Sequence, residues 1–121
     1  MKYLCLCYYD ADAFVKLSQQ EIEAIGPQCR PYDEALRATG KVDAVGSLVS
    51  PEEWKTIRPV DRTPVVEDGP MSKSSEQAGA FLIIEAVDMD EAVRVASQHP
   101  AANVFGNLGF AVEVRQCESF D

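Results

Sequence analysis

Gly79-Ala80-Phe81-Leu82-Ile83-Ile84-Glu85-Ala86 reads as a strand that is apolar on both alternating faces: Phe81 and Ile83 point one way, Leu82 and Ile84 the other. Such a strand belongs in the middle of a sheet covered on both sides. Lys2 to Tyr9 is of the same kind, with Tyr3, Cys5 and Cys7 alternating against Leu4, Leu6 and Tyr8. The fold is therefore one that sets these two strands centrally and finds cover for four apolar half-faces.

Ser18 opens a helix between them. Its hydroxyl caps the amide of Glu21 while Glu21 reaches back, and Leu17 with Ile22 forms the flanking hydrophobic staple. Ile22, Ile25, Cys29, Tyr32 and Leu36 follow on one helical face. Pro27 and Pro31 each remove an amide donor, but both project away from that stripe, where water can reach the freed carbonyls. The expectation is a bent helix, or two abutting ones, stopped at Gly40. Val42 to Val49 reads as a further strand. Residues 50 to 67 carry Pro51, Pro59 and Pro64, which suit an irregular hairpin or edge strands, with Trp54 to Arg58 and Pro64 to Glu67 as its paired pieces. Asp88, with Glu91 three residues on, caps a second helix striped by Met89, Ala92, Val93 and Ala96 and ended by His99-Pro100. Residues 101 to 109 form a small-residue loop. Phe110 to Arg115 closes the chain as a strand with Val112 and Val114 inward and Glu113 and Arg115 outward.

The order is strand, helix, strand, hairpin-like insert, strand, helix, strand. Two such units with right-handed crossovers give an α+β fold, the ferredoxin-like sandwich: an antiparallel sheet with both helices on one face. The other face is left bare. Each large apolar side chain left in water forfeits about 1.5–3 kcal/mol, against a domain stability of about 5–15 kcal/mol. A homodimer through the helix-free sheet face, a dimeric α+β barrel, is the simplest cover. The alternative is that the segment from 50 to 78 folds back over it.

At 121 residues the chain suits a single domain, 1–121. Apolar residues are 46% and charged residues 26%, an ordinary globular composition. A net charge of −9 opposes binding to nucleic acid or to an anionic membrane. The N-terminal apolar run is too short to span a bilayer and unlike an export signal. Four cysteines without that signal read as reduced thiols, so a cytoplasmic location is expected.

Asp68-Gly69-Pro70 is the most distinctive local sequence. Asp closes an Asx-turn, Gly takes a positive φ and Pro sets the exit, so it reads either as a tight turn or as a carboxylate placed for a ligand or for general base work. His99 is the sole histidine, so any imidazole chemistry in one subunit passes through it. Its place at a helix C-terminus favours the protonated form; a capping role is the plainer reading. Cys5 and Cys7 share one face of a strand about 7 Å apart; with no second chelating pair they read as core thiols, and no metal is expected. Tyr8, Tyr9, Tyr32, Trp54 and Phe81 suit either a core or a cleft. Gly69 to Ser74 lacks the Gly-Lys-Ser/Thr ending of a phosphate loop.

The chain resembles the YCII-related proteins, and within them the subfamily named for Asp-Gly-Pro-Phe. The resemblance rests on Asp68-Gly69-Pro70-Met71, Glu76-Gln77, Gly79-Ala80-Phe81, Ile84-Glu85-Ala86, Asp88, Ala96, His99-Pro100 and Val112-Glu113-Val114-Arg115. It departs at Met71 for the aromatic, at Lys73 for an acidic residue, at Ser75 for a basic one and at Ala80 for the second glycine. The resemblance implies a ferredoxin-like dimeric α+β barrel, some of whose relatives accompany sigma factors of the extracytoplasmic class, while others resemble small lyases or dehydrochlorinases using a His–Asp pair. The histidine of that pair lies in the first helix of those relatives; this helix has none, and Cys29 sits near the equivalent place.

Three readings follow. One is a dimer binding a small ligand beside the Asp-Gly-Pro turn, through Gly69, Pro70, Met71, Tyr8 and Phe81. Another is a cofactor-independent lyase or isomerase acting on a small organic acid, with Asp68 as proton acceptor and His99 as acid or anion-pairing group. The third is a regulatory partner of a sigma factor.

Overall fold

The computed structural model describes residues 1–121. Strand β1 (Lys2–Asp10) leads through a single helical turn, α1 (Ala11–Phe14), into the long helix α2 (Gln19–Ala38). Then come β2 (Val42–Ser47), β3 (Lys55–Val60), β4 (Thr63–Asp68), β5 (Glu76–Glu85), helix α3 (Met89–Ala96) and β6 (Ala111–Gln116). Four strands form one antiparallel sheet in the order β2-β5-β1-β6, so the two doubly apolar strands are the central ones. With the β3–β4 ribbon set aside as an insert, this is the ferredoxin-like order.

Register assigns the faces. Cys5 lies opposite Leu82 on one side and Val114 on the other, and Tyr3 lies opposite Ile84. These side chains form the helix-side core: Tyr3, Cys5, Leu82 and Ile84 are at most 1% exposed and pack with Leu36 of α2 and Ala92, Val95 and Ala96 of α3. The capping box at Ser18 is complete, its hydroxyl accepting from the Glu21 amide at 3.1 Å while Glu21 accepts from the Ser18 amide at 3.0 Å. Both prolines lie within the one helix α2 and are exposed, so water reaches the carbonyls they orphan. The helix stripe is less engaged than its spacing suggests: Leu36 alone is buried, Ile25, Cys29 and Tyr32 are half-buried, and Ile22 is exposed.

Strand β5 begins at Glu76, earlier than its apolar run indicates, because the ladder with β1 slips by one residue. Cys7 pairs with Ala80 and Tyr8 with Ala78, leaving Gly79 as the extra residue of a bulge. A Cβ there would stand 2.9 Å from the Tyr9 ring, so glycine is what lets the ring lie against the bulge.

On the other face Leu4, Leu6, Phe81 and Ile83 are half-buried with no helix over them. The ribbon does not cover them either. β3 and β4 form their own two-stranded sheet, and all of its residues but Thr56 are exposed. Its tip is a two-residue turn with Asp61 at φ 50° and Arg62 at φ 65°, the left-handed pair that matches strand twist in a tight hairpin. The fold-back of residues 50 to 78 over the bare face is thus replaced by a projecting hairpin, because β3 and β4 satisfy each other's backbone groups and their prolines, Pro59 and Pro64, face each other at a pair of edges.

Candidate functional site

Where β1 ends and the bulge of β5 begins, a cleft of about 570 Å³ opens. Asp10 builds one side of it. Its carboxylate accepts from the amides of Asp12 (3.0 Å) and Ala13 (3.4 Å), capping α1 and turning the chain sharply off the sheet. The Ala11 amide donates to the Ser75 carbonyl at 2.8 Å and ties that turn to the entry of β5. Phe14, carried on α1, then meets Tyr9 edge-on at 4.9 Å and stacks on Phe110 at 6.0 Å. Gly109, at φ 75°, brings Phe110 in. A Cβ at Gly109 would stand 2.9 Å from the Asp10 Cβ and 3.0 Å from its amide nitrogen. The result is an aromatic wall of three rings. Leu48 and Pro51 supply apolar surface opposite, and Asp12, Ser50 and Glu52 are the polar residues of the lining beside Tyr8, Tyr9 and His99.

Cys7, Ala80, Ala101 and His99 close the deep end. His99 is 9% exposed. Its Nδ1 accepts a hydrogen bond from the Ala101 amide at 2.9 Å, capping the 3-10 turn Pro100–Ala102, so the ring proton sits on Nε2. The Cys7 sulfur lies 3.7 Å from Nδ1 and 3.6 Å from Nε2. In the ring plane that near-equidistance would press the sulfur onto Cε1, so it rests over the ring face. Nε2–H has no oxygen or nitrogen acceptor within the protein.

Burial lowers the His99 pKa from its ordinary value of 6.5, and the nearby Asp33 carboxylate opposes this only in part. The expectation that the end of α3 would favour a protonated imidazole is therefore corrected: desolvation outweighs the helix terminus, and the one lone pair available to a second proton is already taken by an amide. Burial also pushes the thiols up, Cys5 to about 11 and Cys7 to about 12. Cys7 and His99 meet as neutral groups, not as a thiolate–imidazolium pair.

Of the other residues singled out in the sequence, Tyr8 lines the cleft, with its hydroxyl 3.4 Å from Glu113. The Asp68-Gly69-Pro70 turn lies elsewhere, at the root of the ribbon. Asp68 is exposed and ion-paired with Lys55, whose ammonium holds the carboxylate below its ordinary pKa. Gly69, at φ 92°, donates its amide to the Trp54 carbonyl at 2.7 Å and accepts from the Thr56 hydroxyl at 2.9 Å. Pro70 is half-buried and Met71 exposed, and neither lines the cleft. Phe81 sits on the helix-free face with its ring across Gly46. Within one chain, Asp68 and His99 do not face a common cavity. Asp12, Phe14, Glu52 and Phe110 were not legible as site residues; the one local signal was Asp10, whose capping chemistry marks the turn that sets Asp12 and Phe14 beside the cleft.

The YCII-related domain matches residues 1–118 of this sequence. The chain belongs to the YCII-related domain family. An uncharacterised protein of Rhizobium meliloti (strain 1021) is 29% identical to this YCII-related chain over 103 residues, covering 85% of it and 83% of the relative. Among solved structures, it is similar to 5-chloro-2-hydroxyhydroquinone dehydrochlorinase from Burkholderia phenoliruptrix AC1100 in complex with 2,5-dihydroxybenzoquinone, at 21% identity and a TM-score of 0.44 over 98% of this chain and 94% of that one. No helix of this YCII-related protein is long and apolar enough to cross a membrane.

Proposed function

We propose that this YCII-related protein binds a small organic molecule in the cleft between β1, α1 and His99. The observation that carries the reading is the cleft itself. It has the size of a small-molecule site, a wall of aromatic rings, and at its deep end a buried neutral imidazole packed against the Cys7 sulfur. That combination supports binding of a flat ring, which stacks against the aromatic wall. We further infer that the working unit is a homodimer through the helix-free face, because Leu4, Leu6, Phe81 and Ile83 there are only half-buried, with neither helix nor ribbon over them.

Ligand-detected saturation-transfer NMR with simple aromatic compounds tests the cleft. Ala80 lines its deep end, and Ala80→Phe fills it. Binding to the natural protein that disappears in a folded Ala80→Phe variant is the expected result. Equal signals from both proteins, or none from the natural protein at millimolar ligand, overturn the reading.

A further inference from the structure

The charge inventory of the cleft narrows what it can take. No lysine or arginine is among the residues that line it. Asp12 and Glu52 are, and neither carboxylate forms an ion pair with any basic group of the protein. The deep end offers no positive charge either, since Nδ1 of His99 is occupied by the Ala101 amide and Cys7 covers the ring face. An organic acid entering this space would give up hydration without gaining a counterion, a cost of several kcal/mol for a charge fully removed from water. A cation meets the opposite situation: two carboxylates without an ion pair, and a protein whose net charge of −9 draws cations from a distance.

Resting on the reading of the cleft as a ligand site, we propose that its ligand is an organic cation, an amine carrying a flat apolar ring. The ring lies against the Tyr9–Phe14–Phe110 wall and the ammonium faces Asp12 and Glu52. A small organic acid, the substrate class suggested by sequence, is the class that this lining rejects.

The test is a matched set on one ring: benzylamine, benzamide and benzoate, titrated into the intact protein at low ionic strength by calorimetry or ligand-detected NMR. Benzylamine is expected to bind more tightly than benzamide, and benzoate not to bind. Asp12→Asn and Glu52→Gln, both at exposed positions, are each expected to weaken benzylamine about two- to fivefold, the range for a partly exposed ion pair, and to weaken benzamide less. Raising the salt should erase the advantage of benzylamine over benzamide. Benzoate binding as tightly as benzylamine overturns the proposal, as does benzylamine binding that neither substitution alters. Benzamide binding with no gain for benzylamine sinks this inference alone, whereas failure of all three ring compounds sinks the reading of the cleft as a ligand site.

Discussion

Gly109→Ala is the sharpest probe of how the cleft is built. Two separate costs fall on the new methyl group. The backbone at Gly109 has φ 75°, a left-handed conformation that costs a residue with a Cβ about 1–2 kcal/mol. The methyl would also stand 2.9 Å from the Asp10 Cβ and 3.0 Å from the Asp10 amide nitrogen, both inside van der Waals contact. The second atom is backbone, held by the β1 ladder on one side and the α1 cap on the other, so it does not swing away as a side-chain tip would. Overpacking of this kind costs about 1–3 kcal/mol more. Gly40 supplies the control: its φ is 69°, and a Cβ there meets nothing within 4 Å. Gly40→Ala should therefore lose only the conformational part, about 1 kcal/mol after the entropy that alanine removes from the unfolded chain, and Gly109→Ala about 2–4 kcal/mol. Urea unfolding followed by circular dichroism reads both, with the slope against denaturant expected to stay constant. Equal losses from the two substitutions, to within about 0.5 kcal/mol, would mean that the loop before β6 does not close against Asp10, and the aromatic wall derived from that approach would have to be redrawn.

Because His99 is the sole histidine and burial lowers its pKa, the unfolded chain takes up a proton below about pH 6.5 that the folded one refuses. Stability is then full above pH 6.5 and falls as acid is added toward the lowered value, at up to about 1.4 kcal/mol per pH unit. Urea midpoints at pH 7.5, 6.5 and 5.5 should show that slope, and His99→Gln should flatten it; a slope unchanged by the substitution is the contrary result. Light scattering at micromolar protein is expected to return twice the chain mass, and Leu6→Glu, which sets a carboxylate on the helix-free face, to return the single-chain mass with the strand signal retained. A natural protein of single-chain mass would remove the dimer proposal.

The central strands were legible because alternation is a local property: Phe81-Leu82-Ile83-Ile84 and Lys2 to Tyr9 announce two covered faces without reference to the rest of the chain. The caps at Ser18 and Asp88 were legible for the same reason, each being a bond between residues three apart, and both are present. The hairpin was readable from its prolines, although that it projects freely was not. The bulge at Gly79 was hidden because a register slip depends on the partner strand as well as on the glycine.

The site was mostly out of reach. Asp68-Gly69-Pro70 drew attention because a tight turn has a conspicuous local signature, yet its bonds to Trp54 and Thr56 make it the root of a ribbon. His99 was recognisable as the one imidazole, but its protonation followed from burial against Cys7, a strand distant in sequence.

The sequence by itself determined the α+β order of elements, the two central strands and the starts of α2 and α3, since each follows from interactions spanning a few residues and from the side-chain period of strand or helix. Only the tertiary structure decided that Asp12, Glu52, Phe14 and Phe110 meet around one cleft with His99 at its deep end. Those residues come from four separate parts of the chain, and what brings them together is the closeness of Gly109 to Asp10 and of His99 to Cys7, contacts whose geometry no local pattern encodes.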